Sequence, residues 1–139
     1  MARILCIDDN RHGRFARQSL LEDQGYEVVV ACNGPEGLEK FRGGKVDLVI
    51  VDYIMPEMNG AEVIQHIRKS NTRVPIILHS GYSERLALDE KVEGADAVLQ
   101  KGPREIKELL ETIHRLLHRN GRKGPARAAA KARRRTSRR

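Results

Sequence analysis

Four separate segments of this chain carry polar residues whose types could together handle a phosphoryl group. Each follows a short apolar run, and the side chains are those of Asp8, Asp9, Asp52, Ser80 and Lys101. Neighbouring carboxylates repel one another unless a cation joins them, and Mg²⁺ is a hard cation that prefers oxygen ligands and recruits phosphate oxygens. A lysine ammonium adds a point charge for an anion, and a serine hydroxyl can donate to a phosphoryl oxygen. The set predicts a carboxylate nucleophile supported by a metal, a cation and a donor.

The apolar runs that precede these residues predict a parallel sheet. They are rich in Val, Ile and Leu and nearly continuous, as in strands covered on both faces. The predicted strands are Arg3–Asp8, Glu27–Ala31, Asp47–Asp52, Pro75–His79 and Ala97–Gln100. Helices are predicted over residues 11–24, 35–42, 60–70 and 84–93, and from Pro103 to about residue 120. This alternation indicates an α/β, doubly wound fold, in which ligands bind beyond the carboxyl ends of the strands.

Each polar residue, taken alone, also has an ordinary structural interpretation. Asn10 or one of the two aspartates before it could cap the helix that follows, and we expect one of the three to do so. Asp52 could begin a turn, Ser80 could belong to a turn with the glycine that follows it, and Lys101 could be a surface lysine. The functional interpretation depends on all the segments together, each at the end of a predicted strand.

Charge divides the chain into two parts. The formal net charge is +7, but residues 119–139 contain ten Lys or Arg and no acidic residue, so residues 1–118 carry −3. We predict one domain over residues 1–120 and a disordered basic tail over residues 121–139, which lacks apolar periodicity and aromatic residues. The tail could contact a polyanion without sequence specificity, although a solvated tail is the simpler expectation.

The remaining composition predicts a cytoplasmic protein without a membrane segment. No apolar run approaches the roughly 20 residues needed to span a bilayer, and the N-terminus lacks the pattern of a signal peptide. Cys6 and Cys32 both lie in apolar runs, and we expect buried thiols at both positions.

From residue 2 to about residue 118, the chain resembles the receiver domain of two-component response regulators, in particular the single-domain regulators of chemotaxis. The segments that carry the resemblance are IDDN at 7–10, GY at 25–26, VDYIMPEMNG at 51–60, LHSG at 78–81, GAD at 94–96 and LQK at 99–101. Each is weak alone, but their order and spacing make the joint match specific. The resemblance implies a flavodoxin-like fold with five parallel strands in the order 2-1-3-4-5 and five helices.

The resemblance also implies a role for each acidic residue. Asp52 would accept a phosphoryl group from a histidine kinase or a phosphotransfer protein and form an acyl phosphate. Asp8, Asp9 and Asp52 would bind Mg²⁺ together with the backbone carbonyl of Ile54. Aspartyl phosphatases generally place a second acid two residues after the nucleophile, where this chain has Ile54. We therefore expect a phosphoacceptor signalling protein that assists only its own phosphorylation and dephosphorylation, not an enzyme.

Two further residues would convert phosphorylation into a signal. Lys101 would contact the phosphoryl group, and Ser80 would move toward it and pull the following loop, which shifts the protein between two populated states. The surface formed by residues 84–93, the last strand and the last helix would then bind an unidentified downstream protein. An alternative is that the domain is only a scaffold for a protein that binds nucleic acid or acidic surfaces through its tail.

Two positions depart from the family pattern. Val98 replaces the aromatic residue whose ring usually turns inward on activation, so we do not expect an aromatic switch. Lys101 is followed by Gly102 before Pro103, whereas proline usually follows the lysine directly, so we expect a differently shaped loop.

The residues that would flank the phosphoryl group lack groups that orient water. Ile54 and Tyr82 each lie two positions beyond a site residue, and neither offers a carboxylate or an amide. We therefore expect slow self-dephosphorylation.

Overall fold

A computed structural model describes residues 1–81 and 92–119. The protein forms one parallel sheet with helices on both faces. Its strands are β1 (Arg3–Ile7), β2 (Glu27–Ala31), β3 (Leu48–Asp52), β4 (Ile76–Ser80) and β5 (Ala97–Gln100). The helices in the described residues are α1 (Arg11–Asp23), α2 (Gly34–Gly43), α3 (Gly60–Ser70) and α4 (Glu105–Arg119). The helix predicted over residues 84–93 lies almost entirely outside the described residues, and the tail over residues 121–139 lies wholly outside them.

The strand order is β2-β1-β3-β4-β5, and every neighbouring pair is parallel. This confirms the doubly wound fold and its strand order. The register aligns Ile7 with Val51 and Asp52 with His79, so the carboxyl ends of β1, β3 and β4 meet at one edge. Strand order reverses between β1 and β3, which is where such sheets bind ligands.

Two apolar cores lie on opposite faces of the sheet. One core packs β-strand side chains against α2 and α3, with Leu38, Val63, Ile64 and Ile67 from the helices. The other packs against α1 and α4, with Leu21, Leu109, Ile113, Leu116 and Leu117 from the helices. Because side chains alternate along a strand, Leu48 and Ile50 on this second face place Asp52 on the same side as α1 and α4.

Local hydrogen bonds explain where α1 begins. The side-chain oxygen of Asn10 accepts a hydrogen bond from the Gly13 amide at 2.8 Å, so Asn10 is the N-cap. In turn, the Asn10 amide donates to Asp8 Oδ1 at 2.9 Å. The expectation that one of these polar residues caps the helix is therefore confirmed, and the cap also fixes the Asp8 carboxylate.

The structure corrects some details of the sequence interpretation. Cys6 is buried as expected, but Cys32 is exposed. Cys32 lies just beyond β2, in the turn before α2, and its Sγ donates to Glu36 Oε1 at 2.9 Å. The predicted element boundaries also differ by a residue or two: β4 extends to Ser80, and α4 begins at Glu105. No helix in the described residues is both long and apolar enough to cross a membrane.

Candidate functional site

Three aspartates converge at the carboxyl edge of the sheet. Asp8 follows β1 and is 1% exposed, Asp52 ends β3 and is 2% exposed, and Asp9 is exposed. One carboxylate oxygen from each of the three lies within 4.8 Å of the others. The structure thus brings together the acids that the strand-end pattern singled out. We call Asp8, Asp9 and Asp52 the acidic site.

Lys101 and Ser80 lie beside the acidic site. Lys101 Nζ is 2.7 Å from Asp52 Oδ2, and the Lys101 amide donates to the Ser80 carbonyl at 2.8 Å. The buried Ser80 Oγ has no hydrogen-bond partner among the residues that the structure describes. A buried hydroxyl of this kind is suited to donate to a ligand oxygen, since buried polar groups are otherwise nearly always satisfied.

The other predicted site residues occupy different environments. Ile54 lies two residues beyond Asp52, and its side chain is 59% exposed. Val98, at the position where the family has an aromatic residue, is half-buried and packs against the core on the α2 and α3 face. Tyr82 lies outside the described residues.

Arg17 is a site residue that the sequence interpretation missed. It lies on α1 and is only 6% exposed. Its Nη2 contacts Asp8 Oδ2 and lies 3.3 Å from Asp52 Oδ1. Its Nη1 lies 3.3 Å from Glu105 Oε2 and 3.2 Å from His79 Nδ1. The guanidinium therefore bridges the two buried acids to the start of α4.

Helical periodicity could have revealed Arg17. It lies four residues before Leu21, the apolar anchor of α1, and both are buried on the same face of the helix. Arg17 lies one turn nearer the start of α1 than Leu21, where this buried face reaches the acidic site. Gly13 leaves the necessary space, because a Cβ at that position would lie 2.9 Å from Asp8 Oδ2.

The burial of these groups alters their protonation. Burial and the neighbouring Asp8 carboxyl raise the pKa of the Asp52 carboxyl above its ordinary range, while Arg17 and Lys101 oppose the shift. Burial, reinforced by Arg17 and Lys101, lowers the pKa of His79 to about 3. The imidazole is therefore neutral at ordinary pH, and its Nδ1 accepts a hydrogen bond from the Arg17 guanidinium.

The acidic site fits a hard divalent cation. Its three carboxylates supply oxygen ligands within reach of one another, and Mg²⁺ is commonly bound by a few carboxylates together with water and phosphate oxygens. The buried Ser80 hydroxyl, which has no partner among the described residues, and the Lys101 ammonium add a donor and a positive charge next to these ligands. The arrangement can thus hold a metal and an anionic group together.

Residues 4–114 match the family described as "Response regulator receiver domain". The chain belongs to this family. One curated relative is the "Uncharacterized transcriptional regulatory protein YkoG" of Bacillus subtilis (strain 168), to which this chain is 35% identical over 123 residues. The matched segment covers 86% of this chain and 53% of that protein. The chain spans about half the length of the curated relatives it matches.

Solved structures agree with this assignment. The receiver domain is 39% identical to the response regulator protein TrrA from Thermotoga maritima, crystallised with Mg²⁺-BeF, with a TM-score of 0.77, covering 84% of this chain and 100% of that one. A second TrrA structure, in complex with the histidine kinase ThkA, shows 38% identity and a TM-score of 0.75, covering 84% of this chain and 99% of that one.

Proposed function

We propose that this receiver domain accepts a phosphoryl group on Asp52 from a histidine kinase or phosphotransfer protein, with Mg²⁺ held at the acidic site. The observation that carries the proposal is the pairing of the buried Asp52 carboxylate with Lys101 Nζ at 2.7 Å, next to Asp8 and Asp9. Phosphorylation would then switch the binding of a downstream protein. TrrA supports both parts of the proposal, since it was crystallised with Mg²⁺-BeF and with a histidine kinase.

Asp52 is suited to act as the nucleophile. A carboxylate oxygen of Asp52 attacks phosphorus, and the bond from phosphorus to the donor nitrogen breaks. The donor imidazole keeps the electron pair of that bond and takes up a proton from solvent, while Asp52 becomes an acyl phosphate. Burial supports this role because it leaves the Asp52 oxygens less solvated and more basic.

The remaining site residues hold the transferred group. Asp8, Asp9, Asp52 and the backbone carbonyl of Ile54 would hold Mg²⁺, which would supply positive charge to offset the negative charge of the phosphoryl group. The Lys101 ammonium lies on Asp52 already and offers a second positive charge. The Ser80 hydroxyl, buried without a partner among the described residues, donates to a phosphoryl oxygen once one is present.

In this proposal the protein acts on no separate substrate. Beyond Asp52, the next exposed side chain is the apolar Ile54, which can neither activate water nor protonate a leaving group. The protein would assist its own phosphorylation and dephosphorylation and turn over no other molecule. Because Val98 has no ring, its output would use a different readout from the aromatic switch of the family.

Intact mass spectrometry tests the proposal. The full chain is incubated with a small phosphodonor and Mg²⁺, and we expect one added phosphoryl group that is absent from Asp52→Asn. Asp47→Asn is the matched control, because it replaces the aspartate just before β3, at the end of the strand opposite Asp52, whose side chain accepts a hydrogen bond from the Arg3 amide. An equal mass increase in Asp52→Asn, or none in the wild-type chain, would overturn the proposal.

A further inference from the structure

The two buried acids of the site are paired with cations of the chain itself. Each of their four carboxylate oxygens accepts a hydrogen bond: Asp8 Oδ1 from the Asn10 amide, Asp52 Oδ2 from Lys101, and the remaining two from Arg17 Nη2. Arg17 Nη2 thus lies between Asp8 Oδ2 and Asp52 Oδ1 and donates a hydrogen bond to each. Whichever of these oxygens a shared metal ion used, that oxygen would already accept a hydrogen bond, and two of the four accept it from Arg17.

The guanidinium and a divalent cation compete for this position. Both are positive, and charges in a buried site are screened far less than charges in water. Asp8, Asp9 and Asp52 together carry three negative charges, of which Arg17 and Lys101 already offset two. A divalent cation beside Arg17 places two positive groups against the same two carboxylates, and their repulsion is relieved when the guanidinium leaves the two acids.

Arg17 has a second set of partners that does not belong to the acidic site. Its Nη1 contacts Glu105 Oε2 and the neutral His79 ring, and Glu105 is the first residue of α4. A guanidinium that gives up Asp8 and Asp52 therefore keeps a carboxylate counter-ion. The connection runs from the metal ligands to α4 without using the position of Val98.

We infer that Arg17 is an internal counter-cation of the acidic site, which Mg²⁺ displaces from Asp8 and Asp52 onto Glu105. Metal loading is thereby communicated to the first turn of α4. The inference rests on the proposed magnesium site and adds a positioning residue to it. In physical terms, the Arg17 side chain is a two-state element whose equilibrium both the metal and Glu105 bias.

Magnesium affinity measured by titration calorimetry on the full chain tests the displacement. We expect Arg17→Met to bind Mg²⁺ at least about tenfold more tightly than the wild-type chain, because the competing cation is gone; tenfold corresponds to about 1.4 kcal/mol. Arg68→Met is the matched control, since it removes the same charge and breaks the Arg68–Asp96 ion pair elsewhere in the domain. We expect its affinity to stay within about twofold of wild type, because the described partners of Arg68 are Gly94, Asn71 and Asp96, none of which belongs to the acidic site.

The double-mutant cycle with Glu105→Gln tests the transfer to α4. After displacement Glu105 is the remaining carboxylate partner of Arg17, so neutralising it weakens Mg²⁺ binding by about threefold or more in the wild-type background. In the Arg17→Met background the same substitution has no effect, which gives a coupling between the two residues. An equal effect of Glu105→Gln in both backgrounds overturns the transfer to Glu105.

Thermal unfolding supplies a readout that does not depend on activity. Without metal, Arg17→Met has a lower Tm than wild type because Asp8 and Asp52 lose a counter-charge, and saturating Mg²⁺ raises its Tm more than it raises that of wild type. Arg17→Lys keeps the positive charge, so we expect it to fold. A single ammonium cannot contact both acids and Glu105 at once as the forked guanidinium does, so its gain in Mg²⁺ affinity is smaller than that of Arg17→Met. If Mg²⁺ raises the Tm of neither variant by more than it raises the Tm of wild type, the displacement is contradicted.

The outcomes separate this inference from the proposed function. Equal Mg²⁺ affinity in wild type, Arg17→Met and Arg17→Lys overturns the role of Arg17 and leaves the magnesium site standing. Binding by Arg17→Met with none detected in wild type supports the inference. An absence of Mg²⁺ binding in all variants overturns both the proposed magnesium site and the inference built on it.

Discussion

Gly60 begins α3 directly against the backbone carbonyl of Asp52. A Cβ at position 60 would lie 2.4 Å from that oxygen and 2.7 Å from Leu78 Cδ1, and the Gly60 amide donates to the Tyr53 carbonyl at 2.8 Å. The start of α3 and the end of β3 therefore constrain each other through backbone atoms that cannot rotate away. The position of the proposed phosphoacceptor depends on this contact.

Gly60→Ala is expected to destabilise the protein by about 1–3 kcal/mol, the usual cost of overpacking a close contact. Urea unfolding measures the change. Gly43→Ala is the control, because a Cβ at position 43 meets nothing within 4 Å, and it should not destabilise the protein, since alanine is favoured over glycine in a helix. Equal stability of Gly60→Ala and wild type would show that β3 and α3 adjust to one another freely.

Glu57→Gly is expected to stabilise the protein by roughly 0.5–1 kcal/mol. Glu57 has a φ of 72°, a left-handed conformation that costs a residue with a Cβ about 1–2 kcal/mol, partly offset by the greater freedom of glycine in the unfolded chain. Glu39→Gly, inside α2, should have the opposite sign and destabilise by about 1 kcal/mol. Urea unfolding of both variants checks the pair of signs, and destabilisation by Glu57→Gly would contradict the backbone argument.

Lys101→Met is expected to slow phosphoryl uptake from a small phosphodonor by about a hundredfold, the scale of losing one electrostatic donor to a transition state. Its Nζ is the cation 2.7 Å from Asp52 Oδ2. The rate of mass increase under fixed Mg²⁺ measures the change. Lys69→Met, at the end of α3, removes the same charge away from the site; a similar rate for the two variants would argue that only net charge matters.

Ile54→Asn is expected to accelerate loss of the phosphoryl group by about tenfold or more, because an amide near the acyl phosphate can orient water. The half-life of the phosphorylated form, followed by intact mass, measures it, and Tyr82→Glu should act in the same direction. Ile106→Asn provides the control, since Ile106 is 57% exposed and Ile54 is 59% exposed. An unchanged half-life in Ile54→Asn would refute the slow-turnover hypothesis.

His79 is expected to remain neutral well below its ordinary pKa. Its pKa in the folded protein is about 3, lowered by burial and by Arg17 and Lys101. Because the unfolded chain protonates histidine near pH 6.5, the unfolded state binds the additional proton, and this residue makes folding less favourable as pH falls from about 6.5 toward 3. The ring Cε1 resonance, assigned with His79→Gln, should not titrate between pH 8 and pH 5; a midpoint near 6 would show that the ring is solvated or paired as a cation.

The sheet and the acidic site could be predicted because their signals are local. Strands covered on both faces produce continuous apolar runs, and parallel strands bring their carboxyl ends to one edge, so residues such as Asp8 and Asp52 follow from position alone. Arg17, His79 and Glu105 come from α1, β4 and α4. Their contact depends on how the two helices pack on one face of the sheet, which no single segment of sequence specifies. Arg17 also reads as an ordinary helix residue unless its spacing from Leu21 is considered.

Cys32 illustrates the opposite error. An apolar run extends past the end of β2, but the chain turns after Ala31, and the preference of Asn33 for an N-cap position decides where α2 begins. The amide of Glu36 donates to the Asn33 side chain at 2.7 Å, which leaves Cys32 in the turn. Capping geometry overrides apolar character at such boundaries.

The hydrogen bonds around Asn10 also have a consequence for protein engineering. Asp8 Oδ1 receives the Asn10 amide, and the Asn10 side chain receives the Gly13 amide, so one stretch of six residues orients its own carboxylate. That stretch should be portable: grafted between a strand and a helix of an unrelated α/β scaffold, it would carry a pre-oriented aspartate with it. Asp52, whose orientation depends on distant residues, would have to be rebuilt by redesigning its whole neighbourhood.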